Sequence, residues 1–257
     1  MDNLLFTQTE KDGLLSGKMG VALCLFHSSR LYANDEYVER AMLQIEHVQS
    51  NINRDTPFEY ADGLAGIGSA ICYLVRNEFI DADTDDILSD FDSLLFQIVY
   101  FGKHTNLERN TGLTGIGFYL LNRIENRTDE SYILLKLKHV LLLVQDIVFA
   151  CIGMEGYTYP YSGQKALSVR EIRDCRRFLK KMLKAGLCPE LTKKALAIVE
   201  QSATNEHSQD VFSFIDSCDM PTFYMKQLAE SHDSLIVRHL ATLQLQEMSL
   251  PPWWELF

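Results

Sequence analysis

The chain has 257 residues, 47% hydrophobic and 23% charged, with a formal net charge of −11. This composition excludes a disordered chain and supplies enough apolar area for a sizeable core. Residues 1–164 hold 12 Lys and Arg against 23 Asp and Glu, whereas residues 165–257 hold 12 of each, so phosphate repulsion argues against nucleic acid as a partner of the first part.

Residues 1–20 include Asp2, Glu10, Lys11 and Asp12 and no unbroken apolar core of the secretory kind. The most apolar stretch, residues 140–153, is interrupted by Gln145 and Asp146 and falls short of the ~20 apolar residues of a membrane span. A soluble, cytoplasmic protein with no membrane partner is expected. Cys24, Cys72, Cys151, Cys175, Cys188 and Cys218 are scattered, with no CxxC pair, which predicts reduced, mostly buried thiols.

Three glycine motifs come first in chain order: Gly17-Lys18-Met19-Gly20-Val21-Ala22, Gly63-Leu64-Ala65-Gly66-Ile67-Gly68 and Gly112-Leu113-Thr114-Gly115-Ile116-Gly117. Each opens a strongly apolar segment, predicted to be a helix buried nearly all round. Each is followed by a second predicted helix. Tyr37, Val38, Ala41, Met42, Ile45 and Val48 form one apolar stripe. Ile87, Leu88, Phe91, Leu94, Leu95, Ile98 and Val99 form another within residues 85–100. The third, residues 129–150, is greasier but keeps Lys136, Lys138 and Asp146. A repeat of this length holds one helix pair, and one pair cannot bury its own apolar faces, so stacked or ring-like packing is expected. Glycine at the motif positions suits turn geometry and close backbone approach.

Residues 153–164 hold Gly153, Gly156, Pro160, Gly163 and three tyrosines and are predicted to be a loop. Helices without the glycine motif follow at about 166–185, 189–202, 221–230 and 234–247, with Pro189 and Pro221 suited to first-turn positions. The expected fold is all-α, an α/α toroid or partial toroid of about five helix pairs. It is read as one domain over 1–257, with three glycine-motif pairs in 1–152, a degenerate part in 165–257, and a homodimer open to it.

The tandem of G-x-x-G-[IV]-[AG] helix openings resembles the lanthionine synthetase C-like (LanC-like) family, best over residues 13–150. The resemblance implies an α/α toroid with inner and outer rings of helices. In the family's bacterial cyclases it implies thioether ring closure, in which a peptide cysteine thiol adds to a dehydrated Ser or Thr. A zinc ion held by two cysteines and a histidine, within a Cys-His-Gly motif, lowers the thiol pKa there. No cysteine of this chain is followed by histidine. The resemblance therefore implies a LanC-like framework without the family's zinc ligands, with no metal, no cofactor and no catalytic residue assigned. The expected role is a non-catalytic module that binds a peptide or a peptide-modifying enzyme in the maturation of ribosomally made peptides. The alternatives are an active cyclase with an unorthodox site and an unrelated toroid enzyme such as a glycosidase, for which Glu59 and Asp62 are the acids.

Several residues are weighed for chemistry. Cys175, Cys188, Cys218 and His232 are zinc-ligand types at spacings that match no compact zinc pattern. Asp81, Asp83, Asp85 and Asp86 imitate the start of a calcium loop with Asp92 at the twelfth place, but helix capping explains them better. His232 and His239 lie seven apart on a predicted helix, and His27 in the first inner helix is the histidine able to face a toroid cavity. Lys165, Arg170, Arg173, Arg176, Arg177, Lys180, Lys181 and Lys184 make a basic helix face, opposed by Glu171 and Asp174, with Ile172, Cys175, Leu179, Met182 and Leu183 as its apolar stripe. That face either docks an acidic partner or pairs with the acidic repeats of its own chain. Trp253, Trp254 and Phe257 either pack on the core or dock elsewhere.

Overall fold

The structure is a computed structural model, and it describes residues 10–101, 106–125, 129–152, 167–202 and 222–256. Ten α-helices occupy these residues: α1 (Lys18–Tyr32), α2 (Asp35–Asn51), α3 (Leu64–Arg76), α4 (Thr84–Phe101), α5 (Leu113–Ile124), α6 (Glu130–Ile152), α7 (Val169–Lys184), α8 (Pro189–Ser202), α9 (Thr222–Ser231) and α10 (Leu235–Gln246). A short 3-10 turn, Trp253–Leu256, follows. The described residues contain no strand, and none of their helices is long and apolar enough to cross a membrane. The predicted loop at 153–164 and Pro221 lie outside the described residues.

The helices form two concentric layers. The inner layer runs α10–α1–α3–α5–α7, each helix packed on the next, and α2, α4, α6, α8 and α9 back it from outside. Among the described residues, α7 and α10 share no more than a marginal contact. The described residues thus form an all-α toroid or partial toroid of five helix pairs. All but two of the buried apolar side chains among the described residues, Leu243 and Leu250, form one contiguous cluster from Leu14 to Leu256.

Local chemistry sets the helix ends. The Asn34 side chain accepts from the Glu36 amide to cap α2, and Ser168 forms a reciprocal capping box with Glu171 at α7. Asp83 accepts from the Asp85 amide at 2.8 Å at the start of α4, so the calcium-loop imitation is a helix cap. Pro189 opens α8, where a missing amide proton costs nothing.

The glycines serve space, not turn geometry. Gly17, Gly63 and Gly112, which precede the inner helices, have φ of −118, −130 and −138°, extended backbone that any residue adopts. The second glycine of each pair touches a carbonyl six residues back: a Cβ on Gly20, Gly66 or Gly115 would lie 2.2, 1.8 or 2.2 Å from the oxygen of Leu14, Tyr60 or Arg109. A third glycine makes a socket for the next inner helix. A Cβ on Gly68 would strike the Tyr119 ring at 2.5 Å, and one on Gly117 the Phe178 ring at 2.6 Å.

The loops carried by these glycines join around one rim of the inner layer. The Leu14 and Leu15 amides donate to the Ala61 carbonyl, both at 2.9 Å, and the Ala61 amide donates to the Asn110 carbonyl at 3.0 Å. Side chains extend this rim to the helices that lack the motif. Ser234 Oγ donates to the Leu15 carbonyl at 2.8 Å. Glu171 Oε1 accepts from the Leu107 amide at 3.2 Å and Asp174 Oδ2 from the Arg109 amide at 2.9 Å.

Two helices depart from their sequence patterns. Glu171 and Asp174 are buried on the core side of α7 with Cys175, Phe178, Leu179 and Met182, while Ile172 and Leu183 stay half-buried. The acids turn inward because unpaired rim amides await them there. On α6, Lys136 and Asp146 are buried while Leu134 and Leu135 are exposed.

Candidate functional site

The inner face of the toroid is the candidate site. Helix α3 is flanked by α1 and α5 and backed by α4, so the face left for the segment after α10 is the inner one. That segment runs against it from one end of α3 to the other. Near the C-terminal end of α3, Tyr73 Oη donates to the Pro251 carbonyl at 3.1 Å. At the rim, Arg109 donates to the Leu256 carbonyl at 2.5 Å. Trp253 and Leu256 are buried between these two holds.

His27 completes the deeper hold. Its Nε2 lies 3.0 Å from Tyr73 Oη, and the two rings stack at 5.9 Å. A carbonyl only accepts, so the Tyr73 proton goes to Pro251 and the Nε2–H of His27 donates to Tyr73. That tautomer leaves Nδ1 a bare acceptor, and it has no hydrogen-bond partner among the described residues. Burial, with Arg30 nearby, pushes the imidazole down to about 3, so His27 is neutral at physiological pH and acts as a fixed donor.

The rim hold is built on aromatic rings. The Arg109 guanidinium lies 4.6 Å from the Tyr60 ring centroid and 4.4 Å from that of Phe118. Tyr60 is itself buried, and its hydroxyl has no hydrogen-bond partner among the described residues. Arg109 and Tyr60 occupy equivalent places in successive rim loops, each six residues before the second glycine of its motif. The inner face therefore offers donors to main-chain carbonyls and aromatic surface to apolar side chains.

A second cluster sits between α3, α4, α5 and α6. Asp92 accepts from Tyr119 Oη at 2.6 Å, Arg123 Nη2 at 2.9 Å and Lys136 Nζ at 2.6 Å. Arg123 also reaches Asp85 at 2.9 Å. Burial pushes the Asp92 carboxyl up, but the hydrogen bonds from Arg123, Lys136 and Tyr119 outweigh it and hold the group below its ordinary value. Burial likewise draws Lys136 down. Beside this cluster, a cavity of about 750 Å³ opens at the C-terminal ends of α3 and α5, lined by Cys72, Arg76, Asp83, Asn122, Arg123 and Glu125 among others. The cluster matches each buried cation with a carboxylate, the arrangement that holds layers in register.

The other sequence candidates fall in separate places. Asp62 and Glu59 line a cavity of about 590 Å³ on the rim. Both Asp62 oxygens are engaged, by Lys11 at 2.8 Å and Ser16 at 2.9 Å, which ties the first rim loop to the second. Cys175 is buried in α7, Cys188 sits in the turn after it, and Cys218 lies outside the described residues. Among the described residues no three His, Cys, Asp or Glu side chains form a group able to hold a metal ion. His232 precedes α10 instead of lying on it, and its Nδ1 accepts from the Ser234 amide at 3.0 Å, so it shares no helix with His239. Asp92 faces the buried cluster and not a calcium loop.

On the basic helix, Lys181 donates to Asn122 at 2.6 Å and approaches Glu125 at 4.0 Å, and Arg173 pairs with its neighbour Asp174 at 3.0 Å. These pairs join the basic face to its own chain. Lys165 and Phe257 lie outside the described residues. Trp253 packs on the core and Trp254 is half-buried beside it.

Sequence reasoning singled out His27 but missed Tyr73, Tyr60 and Arg109. Arg109 had a legible signal, being the charged residue at the place where the other two motifs carry Leu14 and Tyr60. Tyr73 had none, because only the returning segment reveals its role.

No curated protein matches this chain. The family model for lanthionine synthetase C-like proteins matches residues 8–149, the stretch that builds the first three helix pairs. With its glycine-led inner helices and two-layered ring, the chain belongs to the lanthionine synthetase C-like protein family.

Proposed function

We propose that this protein is a non-catalytic LanC-like module that binds peptide in the maturation of ribosomally made peptides, alone or with a peptide-modifying enzyme, in the cytoplasm. The observation that carries this reading is the hold on residues 250–256. The inner face grips a peptide segment through two main-chain carbonyls, those of Pro251 and Leu256. Carbonyls are common to every peptide, so such holds recognise the class, while the aromatic seat around Trp253 adds preference for an apolar side chain.

Three buried thiols, Cys24, Cys72 and Cys175, favour binding over cyclisation at their own places. Burial pushes the Cys72 thiol up to about 11, and raises Cys24 and Cys175 further. A zinc ligand or nucleophile works as the thiolate, which these surroundings oppose. Family membership also leaves the unrelated glycosidase reading without support.

The test mixes the purified chain with a dehydrated, cysteine-containing precursor peptide. Calorimetry follows binding, thiol titration follows ring closure, and elemental analysis follows zinc. Binding with no loss of peptide thiol supports the proposal. One zinc per chain, lost with Cys188→Ala or Cys218→Ala, together with consumed thiol, overturns it in favour of an unorthodox cyclase.

A further inference from the structure

We propose that residues 250–256 are a displaceable plug, the chain's own stand-in for a peptide on the inner face, which an incoming peptide bearing a large aromatic side chain must evict. This rests on the peptide-binding reading above and adds its regulation.

Three observations carry it. First, the segment is held as a ligand is held. Tyr73 and Arg109 each hold it by a main-chain carbonyl, those of Pro251 and Leu256, and Trp253 and Leu256 enter the core at 1% exposure each. Any peptide able to place one aromatic and one aliphatic side chain between two carbonyls meets the same partners.

Second, the fit is incomplete. His27, which bonds Tyr73, and Tyr60, whose ring lies under Arg109, keep Nδ1 and Oη buried with no hydrogen-bond partner among the described residues. An occupant that reaches either atom with a suitable polar group gains a hydrogen bond that the plug forgoes.

Third, the segment has its own pivot. Gln244 Nε2 donates to the Met248 carbonyl at 3.2 Å and the Leu250 carbonyl at 2.9 Å, which anchors the plug at its first residue. Met248 is 53% exposed, so the link at 247–249 runs on the surface. Helix α10 itself stays seated, through Cys24 Sγ on the Ile236 carbonyl at 3.8 Å and Ser234 on Leu15. The plug can swing out without unseating α10.

The consequence is quantitative. A tethered occupant competes at high effective concentration. A site open for a fraction of the time binds outside ligand more weakly by that same fraction. Loosening the plug must therefore strengthen binding in trans.

The experiment uses the full chain and a fluorescein-labelled nonapeptide of the sequence of residues 249–257, read by anisotropy. Trp253→Ala is expected to bind it at least about tenfold more tightly than the native chain. Adding Arg109→Ala or Tyr73→Phe to that variant removes the gain. Equal binding by both chains, or binding by neither, overturns the plug. If Trp253→Ala is unfolded alone, recovery of helical circular dichroism and a cooperative melt with excess nonapeptide supports the proposal. Failure to recover overturns it, because the segment is then core and not occupant. Precursor peptide bound equally by native and Trp253→Ala chains overturns the plug while the binding function stands. Precursor bound by neither overturns both.

Discussion

Arg109 and Leu256, 147 residues apart, meet where the guanidinium donates to the main-chain carbonyl at 2.5 Å. The same guanidinium lies over Tyr60 and Phe118, so one side chain links two rim loops to the segment that returns to the inner face. Arg109→Ala is expected to lower unfolding free energy by about 3 kcal/mol, combining a charged hydrogen bond with two cation–π contacts. Arg109→Lys keeps the charge but loses the flat fork, and recovers less than half of that. Urea denaturation followed by circular dichroism measures both.

His27 makes the protein sensitive to acid. Its folded value of about 3 lies below the ordinary 6.5, so the unfolded chain binds its proton first. The stability it contributes is complete above pH 6.5 and is lost as pH falls towards 3. The loss reaches roughly 3 kcal/mol by pH 4.5. His27→Gln keeps a donor for Tyr73 without titrating. The variant is expected to lose less stability than the native chain between pH 7 and 4.5, in matched urea titrations.

The glycines differ in how their neighbours can yield. Gly66→Ala drives a Cβ to 1.8 Å from the Tyr60 carbonyl oxygen, a backbone atom fixed by the rim, and is expected to cost more than about 4 kcal/mol. Gly117→Ala meets the Phe178 ring instead. Combining it with Phe178→Leu is expected to restore about half of the loss. A double-mutant cycle on thermal midpoints reads the coupling.

Asp92 bridges two buried cations, Arg123 and Lys136. Asp92→Asn strands Lys136 and leaves Arg123 only the more exposed Asp85, and is expected to cost about 3–5 kcal/mol. Lys136→Met added to Asp92→Asn removes one stranded charge and returns part of it. Since the Asp92 carboxyl is held below its ordinary value, its contribution is present above about pH 4 and is lost as pH falls below that. Chemical denaturation of the single and double variants checks the order.

The glycine repeats made the ring legible from sequence, because close packing leaves a residue-by-residue trace: Gly66 and Gly115 stand where backbone meets backbone. Residues 166–185 and 189–202 were legible as α7 and α8 from periodicity alone. What α7 does with its charges was not. In sequence Glu171 and Asp174 were only the two acids opposing eight basic residues, yet they accept the Leu107 and Arg109 amides. Their role depends on a loop some 65 residues earlier, which local pattern cannot encode. The glycines also misled in one respect, since their extended backbone needs no special turn. In the candidate site, His27 was legible as a histidine in a buried inner helix. Arg109 and Tyr73 became visible once the returning segment was in place.

The rim has a consequence for the order in which the chain folds. Its bonds join Leu15 to Ala61 and Ala61 to Asn110, partners separated by one repeat, so each new repeat can dock on the last as it leaves the ribosome. Residues 251–256 are held instead from far back in the chain. Tyr73 and Arg109 wait 178 and 147 residues for their carbonyls. During synthesis the inner face is therefore not covered by this segment until residues 250–256 are made.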